Sequence, residues 1–349
     1  MKDIKIANQF IGKGRPAFVL AEAGVNHNGD LDLARKLIEA AAEARASAIK
    51  FQTFKAANLA TKDAPKANYQ METTSAGESQ HDMLRRLELS AAAHTELIAH
   101  CKKHQLLFLS TPFDEESADL LETLGVPAFK ISSGEITNIP FLEHIARKRK
   151  PILLSTGMAD MSEVETAVRR IRAQGNDDIV LLQCVSNYPA DPADVNLRAM
   201  ATMASACNTL AGYSDHTLGN EASLAAVALG ACVIEKHFTL DRKLPGPDHK
   251  ASLEPDELKA LVRSIRIVEA TLGNGIKKPA PSEENTRQVA RKSLVAASDL
   301  VAGTRLKQDM IAIKRPGTGL APALRDTLVG RTLNTDVAAG CLFTLKMLT

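Results

Sequence analysis

Two apolar runs of the chain, "LAGYSDH" and "CVIEKHF", each finish on an imidazole, His216 and His237. The two are too far apart in sequence to share a helix face, so only a fold that gathers successive strand ends could pair them. Neighbouring strands lie about 5 Å apart. Two rings at that separation suit a divalent metal with positions left open for substrate and water. A lone histidine is more often a packing residue, and it is the pairing on adjacent strand ends that points to metal. Two lysines, Lys50 in "SAIKFQT" and Lys130 in "AFKISSG", sit inside apolar runs. Burying an unpaired ammonium costs several kcal/mol, so each asks for an anion. Hydroxyls of Thr111, Ser133, Ser155 and Ser214 would complete a phosphate or carboxylate cradle through charge-assisted hydrogen bonds. Taken singly, each of these serines also fits a turn or a helix cap.

What must position these residues is a repeating unit. Strand-length apolar runs recur as "AFVLAEA", "SAIKFQT", "LLFLSTPF", "AFKISSG", "PILLSTG", "IVLLQCV", "LAGYSDH" and "CVIEKHF". Between them lie amphipathic stretches such as "DLDLARKLIEAAAEARA" and "MSEVETAVRRIRAQG". Eight strand–helix units are the count of a closed (β/α)8 TIM barrel, an α/β fold. An open doubly wound sheet would want a glycine-rich phosphate turn after its first strand, and "GVNHNG" is not GxGxxG. In such a barrel the polar residues that close each run converge at one end: Glu22, Lys50 and Gln52, Thr111, Lys130, Ser133 and Glu135, Ser155, Tyr188, Ser214, His216 and His237. His81, His94, His100, His104 and His144 fall on expected helices and read as surface or packing residues, while His27 and His249, on loops, stay open. Residues 54–79 make a connection too long for a plain turn, which reads as a lid or binding loop, and "DRKLPGPDHKAS" places Asp248 over the same mouth.

The barrel is expected over residues 1–276, a polar, proline-bearing linker over 277–287, and a small β-rich module over 288–349. From Lys277 onward there are twelve basic and six acidic residues, so this tail is basic while the barrel is mildly acidic. In it, "KRPGTG" presents Arg315 in a turn, suited to an anionic or polyhydroxy ligand. A net charge of +2 over 349 residues, with no basic tract, gives no reason to expect nucleic acid or a membrane surface as partner. The N-terminus lacks the apolar core of a signal peptide and no apolar stretch would cross a bilayer, so a cytoplasmic protein is expected. Five widely spaced cysteines without a CxxC pair read as reduced packing residues.

The motifs "AEAGVNHNG", "KFQTF", "LSTPFD", "FKISSGE", "LSTGMA", "YSDHT", "EKHFTLD", "GPDHKASLEPDEL" and "KRPGTG" occur in the order found in the sialic acid synthase family, which the chain resembles over essentially its whole length. The resemblance implies a transferase that condenses phosphoenolpyruvate with N-acetylmannosamine, giving N-acetylneuraminate and phosphate with the help of a divalent ion, Mn2+ first and Mg2+ or Co2+ as alternatives. It implies that Lys50, Thr111, Lys130, Ser133, Ser155 and Ser214 touch phosphoenolpyruvate and that His216 and His237 hold the metal. Gln52, Tyr188 and Asp248 would touch the amino sugar, and Glu22 and Glu135 would orient its hydroxyls or move protons. The C-terminal module resembles the antifreeze-like SAF domain, a β-clip. Arg315 is similar to the arginine that, in this family, reaches the sugar from the other subunit of a domain-swapped homodimer. The alternative within the same chemistry is an N,N'-diacetyllegionaminate synthase using 2,4-diacetamido-2,4,6-trideoxymannose. Outside it stand a Schiff-base aldolase with Lys130 as nucleophile and a carbohydrate- or ice-binding protein on a scaffold barrel.

Overall fold

In the computed structural model, which describes residues 2–67, 71 and 78–349, each of the eight apolar runs is a strand. A short antiparallel hairpin, β1 (Ile4–Ile6) and β2 (Gln9–Ile11), precedes them. The eight are β3 (Phe18–Gly24), β4 (Ala48–Thr53), β5 (Leu107–Pro112), β6 (Phe129–Ile131), β7 (Ile152–Ser155), β8 (Ile179–Cys184), β9 (Leu210–Asp215) and β10 (Val233–His237). All pair in parallel in the order β5-β4-β3-β10-β9-β8-β7-β6, and β5 and β6, at the two ends of that order, lie against each other to close the barrel. These strands read as continuous apolar runs because both faces are covered, by helices outside and by side-chain layers inside. Every residue of β3 is buried.

The connections are helices with local start signals. Asp30 caps α1 (Leu31–Glu43) by accepting the amides of Asp32 and Leu33, and Ala34, Leu37, Ile38 and Ala41 form its buried stripe. There follow α2 (Gln80–Leu87), α3 (Ala91–Lys103), α4 (Glu115–Thr123) and α5 (Ile139–Arg147). Then come α6 (Met161–Ala173), α7 (Ala199–Cys207), α8 (Glu221–Ala228) and α9 (Pro255–Leu272). Asp160 and Glu163 form a reciprocal capping box at the start of α6. Ile4, Ile6 and Ile11 of the hairpin pack with Phe18, Leu20, Val180 and Val233 in an apolar layer at the strands' N-terminal end. That layer stoppers the barrel floor and leaves the polar strand ends at the other mouth. The sequence reading did not anticipate the hairpin, whose strands are only three residues each.

The chain divides into two compact units, Met1–Gly273 and Asn274–Thr349. In the second, helix α10 (Glu284–Ala290), which overlaps the stretch read as a linker, precedes β11 (Ser293–Ala296), paired antiparallel with β12 (Ile311–Lys314). Isolated bridges such as Leu300 to Val337 and Leu333 to Leu348 extend the pairing around a core that includes Leu294, Leu306, Leu328 and Phe343. The five cysteines are free. Among the described residues no helix is long and apolar enough to cross a membrane.

Candidate active site

Strand register assembles the site. On β3 and β4, Glu22 stands beside Lys50; on β10 and β9, Glu235 stands beside Ser214; and His237 of β10 stands beside Glu22. Their side chains, with Lys130 from β6, form a buried group of four charges. Lys50 Nζ lies 2.9 Å from Glu22 Oε2 and 3.9 Å from Glu235 Oε2, and Lys130 Nζ lies 3.4 Å from Glu235 Oε1. Thr111 Oγ1 accepts from Lys50 Nζ at 2.7 Å, and the Ser214 hydroxyl donates to Glu235 Oε1 at 2.7 Å.

The electrostatics of the group favour an incoming anion. Burial pushes Glu22 up to about 7, with the Glu235 carboxylate adding to the shift and the Lys50 ammonium opposing it. Burial acts the same way on Glu235, but the ammonium groups of Lys130 and Lys50 and the Ser214 hydroxyl outweigh it and hold this carboxyl down at about 2. When Glu22 carries a proton, two ammonium groups face one firmly ionised carboxylate. Ser155, which lines the same cavity as the two lysines, has its Oγ buried without a hydrogen-bond partner among the described residues. Ser133 Oγ, also buried, accepts the Gly157 amide at 2.9 Å.

A cavity of about 420 Å³ opens over this group. It is lined by Glu22, Lys50, Gln52, Thr111, Lys130, Ser133, Ser155, Tyr188, Ser214, His216, His237 and Asp248, that is, by twelve of the fourteen residues singled out from sequence. Gln52 Nε2 reaches Glu22 Oε1 at 3.4 Å. Glu135, in the turn after β6, does not line the cavity, and its Oε2 accepts from Asn138 at 2.7 Å. Arg315 belongs to the C-terminal unit, where its Nε donates to the Ala290 carbonyl at 3.1 Å. Leu59 and the α2 residues Gln80, Met83 and Leu87 add a partly apolar wall. Residues 68–70 and 72–77 of the expected lid lie outside the described residues.

The two histidines do meet: their ring centroids are 5.2 Å apart, and the Tyr188 ring stands 4.1 Å from that of His216. His216 Nδ1 donates to the Val185 carbonyl at 2.7 Å, which fixes the ring; against burial, the Cys184 sulfur and that carbonyl raise His216 above the usual imidazole range, so Nε2 is a lone-pair donor only once the ring gives up its proton. His237 Nδ1 is buried with no hydrogen-bond partner among the described residues and lies 4.0 Å from Asp248 Oδ2. Burial holds His237 well below the usual imidazole range, so the ring is neutral and its nitrogen is a lone-pair donor. Burial also pushes Asp248 up to about 6 against the charges of His216 and Lys50. An oriented imidazole, a second imidazole that is neutral with an unmet nitrogen, and a nearby carboxylate fit a divalent transition-metal ion.

Sequence reasoning missed Glu235, although it stood in plain view in "CVIEKHF". A charge inside a buried strand must have a partner, and that holds for Glu235 as it does for the lysines. Sequence reasoning also passed over Lys236, which pairs at 2.9 Å with buried Asp215, one of the polar strand-end residues that the sequence did offer. The Asp215 carboxylate also accepts from Tyr213, Thr217 and Ser223, which stiffens the end of β9 just before His216.

The NeuB family matches residues 37–277 and the SAF domain residues 291–349. The chain is 51% identical to the N,N'-diacetyllegionaminic acid synthase of Campylobacter jejuni, over 91% of this chain and 96% of that one. To the enzyme of the same name from Legionella pneumophila it is 48% identical, over 94% of each chain. Among solved structures, the N-acetylneuraminic acid (sialic acid) synthetase of Leptospira borgpetersenii, in complex with citrate, superposes with a TM-score of 0.72 at 38% identity, covering 82% of this chain and 95% of that one. The chain belongs to the NeuB family, as a transferase of the nonulosonic acid synthase type with a C-terminal SAF domain.

Proposed function

We propose that the protein is an N,N'-diacetyllegionaminate synthase, condensing phosphoenolpyruvate with 2,4-diacetamido-2,4,6-trideoxymannose and releasing phosphate. The observation that carries the chemistry is the buried quartet of Glu22, Lys50, Lys130 and Glu235, which carries a surplus positive charge when Glu22 is protonated and then suits a small multiply charged acid. The choice of sugar rests on identities of 51% and 48% to two synthases of that name, against 38% to the sialic acid synthetase. N-acetylneuraminate synthesis from N-acetylmannosamine, the first expectation from sequence, is the second reading, and it shares every residue below.

Lys50, Lys130, Thr111, Ser133, Ser155 and Ser214 hold the carboxylate and phosphate of phosphoenolpyruvate. Donors already aimed into the cavity cost little reorganisation when charge shifts onto the leaving group. C3 of phosphoenolpyruvate forms the new bond to the aldehyde carbon of the open-chain sugar. Water adds at C2, and the tetrahedral adduct collapses by breaking its bond to the phosphate oxygen. A divalent ion held by His216 and His237, with manganese as first candidate, would supply Lewis-acid polarisation of the aldehyde. Glu22, with its carboxyl poised at about 7, is placed to exchange a proton with water or a sugar hydroxyl. Gln52, Tyr188 and Asp248 orient the sugar, and Tyr188 keeps the two imidazoles from turning. Glu135 accepts a hydrogen bond from Asn138, so a catalytic part for it requires its side chain to turn. We further assign Arg315 to the site of a partner subunit in a homodimer.

The test is phosphate release by manganese-loaded protein from phosphoenolpyruvate with each sugar in turn. Preferred turnover of the diacetamido sugar is expected. Preference for N-acetylmannosamine would keep the chemistry and change the sugar. Phosphate release with neither would sink the reading.

A further inference from the structure

Away from the barrel mouth, helices α1 and α3 pack side by side on the outside of the barrel, and their seam carries a row of polar pairs. Arg35 of α1 bonds Glu96 of α3, and one turn further along Glu39 of α1 meets His100 of α3, whose Nε2 lies 3.1 Å from Glu39 Oε1. One turn beyond that, His104 closes α3 as its C-cap. The spacing of four residues stacks His104 on the same face as His100. Their ring centroids are 4.7 Å apart, inclined at 46°.

A plain seam pair would account for Glu39 and His100 alone. It does not account for His104, whose Nε2 is out of contact with solvent and has no hydrogen-bond partner among the described residues. An imidazole nitrogen in that state wants either a donor or a metal. One ligand atom from each of Glu39, His100 and His104 lies within 4.8 Å of the other two, the only such group of three found among the described residues.

We propose that Glu39, His100 and His104 form a second metal site, distinct from the barrel mouth, that binds zinc and ties α1 to α3. Two imidazoles and one carboxylate are a donor set that zinc takes readily, and three protein ligands leave a fourth position for water. Two ligands come from one helix at a spacing of four, so the site needs only small rotations of side chains to close. No step of the condensation uses it. An ion bound there would stabilise the folded chain, because the unfolded chain does not hold the three ligands together.

The experiment uses the full-length chain, stripped of metal and then dialysed against zinc, in four forms: wild type, His104→Gln, Glu39→Gln and His216→Ala/His237→Ala. Bound zinc per chain and the zinc-induced rise in Tm are read for each. His104 and Glu39 are both half-buried on helix surfaces. Each single variant should lose one equivalent of zinc and part of the Tm rise, with manganese-dependent phosphate release unchanged. The His216→Ala/His237→Ala chain should keep that equivalent. Equal zinc content and equal Tm rise in wild type, His104→Gln and Glu39→Gln would overturn the proposal, as would a His216→Ala/His237→Ala chain that binds none. The readout is independent of which sugar, if any, the mouth turns over.

Discussion

Lys130 Nζ lies 3.4 Å from Glu235 Oε1, with no more than 4% of either side chain exposed. Breaking such a pair from one side leaves a buried charge with reduced compensation, at a cost of about 3–5 kcal/mol. Lys130→Met is therefore expected to lower the urea midpoint and to raise KM for phosphoenolpyruvate at least tenfold. Removing both charges, as in Lys130→Met/Glu235→Gln, should restore most of the stability and none of the affinity. If the double variant regains affinity, Lys130 serves the fold and not the ligand. Urea titration and initial-rate kinetics on the same preparations separate the two.

Glu22 gives a dependence on pH with a definite sign. Its carboxyl is raised to about 7, chiefly by burial, so below that pH it is neutral and above it ionised. Once ionised it pairs with Lys50 and competes with the anionic substrate for the same ammonium. KM for phosphoenolpyruvate should rise as pH passes upward through about 7 in the wild type, and this component should vanish in Glu22→Gln. Phosphoenolpyruvate's own titration is common to both proteins, so the difference between the two profiles isolates Glu22. Parallel profiles would remove the carboxyl from the anion site.

The barrel was legible in the sequence because a parallel strand buried on both faces is a run of apolar residues, and eight such runs separated by amphipathic stretches leave few alternatives. The mouth was legible for the same reason: a lysine inside "SAIKFQT" has no place to go but inward. The two-strand hairpin was not, since Ile4–Ile6 and Gln9–Ile11 are too short to show a period. Glu235 was passed over because attention went to its neighbour His237, two positions on and on the same face of the strand. Glu135 was drawn into the site by its place at a strand end. Only the turn of chain through Ser133–Glu135 aims its carboxylate at Asn138. His100 and His104 read as surface or packing residues because Glu39, which stands beside them, is on another helix, a relation that a single sequence does not display.

His27 should make the fold sensitive to acid. Burial, with the neighbouring imidazoles of His94 and His249 adding to it, lowers this ring to about 4 from a usual value near 6.5. Its Nδ1 accepts the Gly29 amide at 3.0 Å, which only an unprotonated nitrogen can do. As pH falls from about 6.5 toward 4, the unfolded chain takes a proton that the folded chain refuses. Stability present above pH 6.5 is thus lost across that window, by roughly 3 kcal/mol at most. Urea midpoints at neutral and mildly acidic pH should differ more for the wild type than for His27→Gln. The idea fails if the two proteins show the same slope.

Arg315, which stands in the C-terminal unit with its Nε on the Ala290 carbonyl, calls for a test in trans because it is assigned to a partner's site. If the guanidinium serves a partner's site, an Arg315→Ala chain contributes an intact barrel and a Lys130→Met chain an intact arginine. Each homodimer is impaired at both of its sites. A hybrid has one site built from the intact barrel and the intact arginine, so mixing the two proteins under conditions of subunit exchange should restore activity well above the sum of the separate preparations. At equal mixing about half of the dimers are hybrids with one working site each, which sets the ceiling at about a quarter of wild-type turnover on random assembly. No recovery after exchange has been demonstrated with differently tagged chains would mean that Arg315 acts within its own subunit or not at all. Arg315→Lys then decides what the residue supplies. Retained turnover points to charge alone, whereas a loss like that of the alanine variant points to the planar, two-pronged hydrogen bonding that only a guanidinium offers.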